Sequence, residues 1–181
     1  MRTGSVRVLC AILFTITFSG IASSQSYRPL SPVDFRGPAR HEGLTVAATA
    51  CFIDLKYDVH ARNGNYKLTF YVNLLVDDER SWIDRTRINT PELLAEILKH
   101  EQGHYSINYF EQQELQRELE GRRFSENYKE EVAAIFDRIH AKYDQLNKDY
   151  DDDTDNSRNK GQQLSWDKYF QRRLGYVTAS R

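Results

Sequence analysis

His100, Glu101 and His104 stand in the order His-Glu-x-x-His, two imidazoles four residues apart with a carboxylate directly after the first. On an α-helix that spacing puts both rings on one face, about 6 Å apart in rise, where they can grip one cation. Glu101 then lies beside them, placed to take a proton from water that the cation has made acidic. Zn2+ is the ion such ligands suit, and hydrolysis is the chemistry it would serve. The plainer reading is a solvated histidine pair on an exposed helix.

A catalytic zinc ion normally takes three protein ligands and keeps one position open. No third donor is in range on the same helix. Glu111 shares the histidine flank, but seven residues beyond His104 is about 10 Å along the axis. Glu114, Glu118 and Glu120 are farther still, and Phe110 occupies the place where the extended zincin pattern carries its third histidine. The missing ligand must come from another segment. The acidic stretch 151–156 is the first choice and His140 the second. A solvated loop or a weak calcium site are the competing readings for such a run of aspartates.

The elements around the motif have to position it. Thr90 suits the N-cap of a helix, Pro91 its first position and Glu92 the positive end of its dipole. Leu93, Leu94, Ile97 and Leu98 follow at helical spacing, and the run continues to Gly121 with Gly103 as its single internal glycine. His100 and His104 share a flank with Leu93, Ile97 and Ile107, so that flank should turn inward and leave the metal half buried. Before the helix, Phe52 to His60 and Tyr66 to Val76 alternate apolar and polar residues, and Asn63-Gly64 between them signals a hairpin. His60 falls on the polar side of its strand and reads as solvent-exposed, as does His41 in the lead-in.

After the motif helix, Ser125 and Glu126 open a second one, with Val132, Ile135, Phe136, Ile139 and Tyr143 as its apolar stripe. The two helices should pair antiparallel. His140 follows Ile139 and reads as a boundary or surface histidine unless the helices cross so as to bring it to the metal. A last helix, Gln162 to Leu174, carries Trp166, Tyr169 and Phe170 and should end at Gly175. The fold class expected is α+β: a small antiparallel sheet or hairpin packed on two long helices plus a C-terminal helix.

The first segment speaks to location. Arg2 and Arg7 precede an apolar run from Val8 to Phe18, and Ala22-Ser23-Ser24 supplies the small residues that signal peptidase accepts, so residues 1–24 read as a secretory signal. The run is short for a membrane span and no later stretch is apolar enough, so a released or periplasmic protein with no membrane anchor is expected. Cleavage takes two of the 25 basic residues and none of the 26 acidic ones, which moves the formal charge from -1 to -3. That leaves no basic footprint for nucleic acid. By length the remainder is an irregular segment, 25–43, and one domain, 44–181. Cys51 is its only cysteine and can form no internal disulfide; it sits in an alternating apolar stretch and reads as a buried structural thiol.

Leu30-Ser31-Pro32-Val33-Asp34-Phe35-Arg36-Gly37, Ala47-Ala48-Thr49, Ser81-Trp82-Ile83, the run His100 to Ile107, and Tyr150-Asp151-x-x-Thr154 followed by Gln163 and Trp166 are spread over almost the whole mature chain. Together they resemble a family of secreted bacterial proteins, the domain of unknown function 922, described as predicted zinc-dependent proteases. The resemblance implies a small zincin-like metallopeptidase domain with His100 and His104 as zinc ligands, Glu101 as general base, and a peptide or protein as substrate. This chain departs from the pattern twice. Asn156 stands where members typically carry a histidine two residues after the threonine, and Ser106 where they favour aspartate. Asparagine is a poor zinc ligand. If that histidine is the family's third ligand, this chain recruits Asp155 or Asp151 in its place, or binds metal weakly. Asp155 is the first expectation, with Asp151, Asn156 and His140 as alternatives. The competing reading is a secreted zinc-binding or protein-interaction module, non-catalytic because its third-ligand position has degenerated.

Overall fold

The computed structural model describes residues 26–40 and 43–179, with side chains through Gly175. The secretory signal read in residues 1–24, and His41, lie outside the described residues. The fold is α+β. Strands β1 (Ala47–Ala48), β2 (Cys51–Arg62), β3 (Asn65–Val76) and β4 (Trp82–Ile83) are followed by helices α1 (Pro91–Glu120), α2 (Tyr128–Thr154) and α3 (Lys160–Ala179). The strands form two separate two-stranded antiparallel sheets, β1 with β4 and β2 with β3.

The β2–β3 hairpin turns through Asn63 and Gly64, with φ of 51° and 75°. Positive φ at both central residues is what a two-residue turn needs to match the twist of its strands. Val72 and Leu74 are buried against α1, and Gln112 on that helix donates a 2.8 Å hydrogen bond to the Val72 carbonyl. Ahead of β1, Leu30 and Phe35 are buried around a short 3-10 turn at Pro32–Asp34, so the lead-in is docked on the domain.

Helix α1 starts as its cap predicts, with Thr90 Oγ1 accepting the Leu93 N–H at 3.1 Å and Pro91 at the first position. At 30 residues it is about 45 Å long and spans the domain. Helix α2 runs antiparallel to it: Glu118 meets Arg138, Glu111 meets His140, and His104 meets Asn147, so partners climb one helix as they descend the other. Tyr105, Ile107, Leu115 and Leu119 of α1 and Ile135, Ile139, Tyr143 and Tyr150 of α2 fill the core beneath the hairpin.

Several boundaries differ from those read in the sequence: β2 and β3 are longer by a residue or two, α3 begins at Lys160, and three helix boundaries have a visible cause. Helix α2 starts at Tyr128, because Ser125 is engaged through both its N–H and its hydroxyl with the Glu131 carboxylate. It then continues through the acidic stretch as far as Thr154. Tyr150 and Thr154, four residues apart, are both fully buried, and the Thr154 hydroxyl donates to the Tyr150 carbonyl at 2.6 Å. Burial of that face holds as helix a stretch whose polar composition suggested a loop. Helix α3 also passes through Gly175, which is not in the left-handed conformation of a helix-ending glycine.

Candidate metal centre

Helix α1 delivers His100 and His104 to its buried flank, their ring centroids 5.0 Å apart and their planes nearly perpendicular. From α2, Asp151 Oδ1 lies 3.2 Å from His100 Nε2 and 3.1 Å from His104 Nε2. One atom from each residue falls within 4.8 Å of the other two. Such a convergence of two imidazoles and a carboxylate offers donors of the kind that can hold a divalent ion.

The outer sides of the rings explain why the inner nitrogens are available. His100 Nδ1 faces Gln163 Oε1 at 3.2 Å, and His104 Nδ1 faces Asn147 Oδ1 at 2.9 Å. Both amides are oriented by a second bond: Gln163 Nε2 donates to Asp167 Oδ1 at 3.0 Å, and Asn147 Nδ2 donates to the Tyr143 carbonyl at 3.2 Å. Their oxygens are therefore the atoms presented to the rings, and each Nδ1 must carry a hydrogen. In a neutral imidazole this leaves the Nε2 lone pair pointing inward. Three electron-rich atoms then converge on one point, an arrangement that needs a cation or a proton to bind them together.

In the metal-free protein the proton does this. Burial alone would push the His104 imidazole down, but the hydrogen bond to Asp151 and the charges of Glu101 and Asp151 outweigh it and raise it to about 9. Burial likewise opposes ionisation of Asp151, yet its bonds to the two imidazoles hold the carboxyl well below the usual carboxylate range. His104 is thus cationic and Asp151 anionic around neutrality.

Tyr150 supports the pair from below. Its ring stacks on His100 at 4.7 Å and meets the edge of His104 at 5.1 Å, and its hydroxyl donates to the His100 carbonyl at 3.1 Å. Burial pushes its phenol far up, so it stays a donor. Gly103 makes this approach possible, since a Cβ there would lie less than 3.0 Å from the Tyr150 phenol. Glu101, 2% exposed, accepts a 2.6 Å hydrogen bond from Thr49 Oγ1, which fixes its carboxylate beside β1.

The other residues weighed for the third ligand do not join the three converging donors. Asp155, the first expectation, caps the C-terminus of α2 in a left-handed conformation and turns its carboxylate to Arg158. Asp151, four residues earlier, lies within the helix on the face that meets α1, whereas Asp155 stands past the last helical residue, where the left-handed backbone turns it away. His140 Nδ1 is 2.8 Å from Glu111 Oε1 and takes no part in the cluster. Asn156 borders the same cleft but is not one of the three converging residues.

Residues 30–161 match the model of the family described as "Bacterial protein of unknown function (DUF922)". The chain belongs to this family. The matched span holds the three converging donors, His100, His104 and Asp151, and Glu101 as well. Comparison with curated proteins and with solved structures gave no match.

The site opens into a cleft of about 530 Å³ between residues 45–52 on one side and α1 and α2 on the other. Asn147 is a site residue that sequence reasoning passed over. Its signal was present: it stands four residues before Asp151, the spacing of His100 and His104, and becomes legible once 147–151 is known to be helix.

Proposed function

We propose that this protein is a secreted zinc-dependent hydrolase of peptide bonds, with His100, His104 and Asp151 as the zinc ligands and Glu101 as the general base. The reading rests on one observation above the others: both Nε2 atoms face Asp151 Oδ1, at 3.2 and 3.1 Å, while both Nδ1 atoms face fixed amide oxygens. Two imidazoles and a carboxylate leave one coordination position for water or substrate. Zinc bound there supplies Lewis acidity toward a water molecule and a substrate carbonyl. Glu101 accepts the proton that the attacking water loses and delivers it to the departing amine. The Thr49 hydroxyl holds the Glu101 carboxylate in place at the wall of the cleft. Asn147 and Gln163 hold the imidazoles in the ligating tautomer.

The test is metal analysis of the purified mature protein together with hydrolysis of casein, an unstructured substrate. One zinc per chain and cleavage that a chelator stops are expected. Zinc without cleavage would leave a non-catalytic zinc-binding module. Iron in the same ligands would point to oxygen chemistry, which two histidines and one carboxylate also support.

A further inference from the structure

Residues 45–52 border the cleft without a gap. Successive strand residues point to opposite faces, so an unbroken run can line one cavity only if the strand presents its backbone edge to it. The hydrogen bonds say which residues do so. Val46 O accepts from Asp84 N at 2.8 Å, Ala50 O accepts from Asp77 N at 2.9 Å, and Ala50 N donates to Ser81 Oγ at 2.9 Å, all on the side of β4 and β3. The β2–β3 register then runs unbroken from Cys51↔Val76 to Arg62↔Asn65. By the alternation of an antiparallel ladder, Cys51, Ile53, Leu55 and Tyr57 of β2 turn their N–H and C=O groups the other way, as Ala47 does in β1. Each sheet has only two strands, and among the described residues no backbone hydrogen bond reaches that edge.

The open edge continues past the cleft. A second groove, of about 470 Å³, lies between β2 and α2, and Phe52 borders both. The cleft at the histidines has polar residues in its walls, Asn108 and Asn147 among them. Beyond Phe52 they are largely apolar: Ile53, Leu55 and Tyr57 face Val132, Ala133 and Phe136. Thr49, beside Glu101, and Leu55, in the apolar groove, are separated by about 20 Å of strand.

We propose that an extended polypeptide adds to the open edge of β1 and β2 as a further strand, seating an apolar side chain between β2 and α2 about six residues from the bond at Glu101. This rests on the peptide-hydrolase reading and names its substrate class: unfolded or linker segments whose backbone N–H and C=O groups are unpaired. Segments within folded sheets and helices have those groups already engaged and do not fit.

Ala133 is exposed on α2 at the apolar groove and takes no part in the metal cluster, so Ala133→Trp fills the groove and leaves the centre intact. The probes are synthetic unstructured 16-residue peptides carrying one leucine at each position in turn. Binding is read by fluorescence anisotropy on the zinc-loaded Glu101→Gln protein, and cleavage on the unaltered protein. Ala133→Trp should weaken binding of the leucine-bearing long peptide at least tenfold while a six-residue peptide is cut as before. N-methylation of alternate peptide amides should weaken binding to a similar extent in one alternation and not in the other, a readout that needs no protein variant. Binding within twofold in Ala133→Trp, or indifference to both N-methylation patterns, would overturn the proposal. Long peptides that bind by this pattern but are never cut would leave the docking standing and remove the hydrolase reading. Cleavage of long and short peptides alike by Ala133→Trp would do the reverse.

Discussion

At the residue scale, Glu101 and Asp151 are the side chains whose roles separate most sharply. Glu101 is held by Thr49 and is not one of the three converging donors, so Glu101→Gln should retain zinc and lose at least about a hundredfold in hydrolysis. Turnover near the parent level would reject its role as base. Asp151→Ala should lower zinc content, whereas Asp155→Asn, which keeps the left-handed cap and removes the charge that meets Arg158, should leave it unchanged. Metal analysis of the two variants side by side distinguishes these carboxylates. The pair His104 and Asp151 also predicts a pH dependence. His104 rises from 6.5 to about 9 on folding, so its contribution to metal-free stability is full below pH 6.5 and is lost as pH rises through 9. Asp151 is depressed, so its contribution is present above the ordinary value of 3.8 and is lost on further acidification. A cation competes with the His104 proton, so zinc affinity should climb with pH up to about 9. Urea midpoints of the chelated protein that fall between pH 6.5 and 9, with zinc affinity rising over the same interval, are the expected pattern.

Helix α1 carries the two histidines, but its position against α2 is what makes them a site. The closest approach of the two helices there is set by Gly103, over which Tyr150 lies. Alanine in its place gains about 1 kcal/mol of helix propensity, yet overpacking costs about 1–3 kcal/mol where the opposing group cannot retreat. Tyr150 is hemmed in by Trp166 at 5.2 Å and Phe170 at 5.4 Å, so it cannot. Gly103→Ala should therefore destabilise the protein and weaken zinc binding together, as α2 shifts and Asp151 with it. Chemical unfolding in parallel with zinc titration checks this; an unchanged zinc affinity would show that the helix contact does not govern the ligand distance.

Across the whole molecule, the three converging donors come from two helices whose chain separation is about fifty residues, so an ion held between them would staple α1 to α2. A ligand that binds only the folded state stabilises it by about 2.7 kcal/mol when its free concentration is a hundred times its dissociation constant. For a domain of this size that corresponds to a rise of about 5–10 °C in melting temperature. Calorimetry with zinc and then with chelator should show this difference in the unaltered protein and lose it in His104→Ala. An equal melting temperature in both conditions would place the bound ion, if any, outside the α1–α2 interface.

Local rules were enough for much of this chain. The spacing of His100 and His104, the Thr90-Pro91 cap, the Asn63-Gly64 turn and the alternation of the two long strands each depend on residues within a turn or two of one another, and an α+β fold with helix α1 followed from them. The sequence was silent where the answer lay in packing between distant segments. Burial of Tyr150 and Thr154 carries α2 through a polar stretch and the left-handed cap at Asp155 ends it, so that Asp151 rather than Asp155 is presented to the histidines. Side-chain periodicity determines which face a helix buries, but the axial offset between two packed helices depends on every contact along them, and only the tertiary structure fixes it.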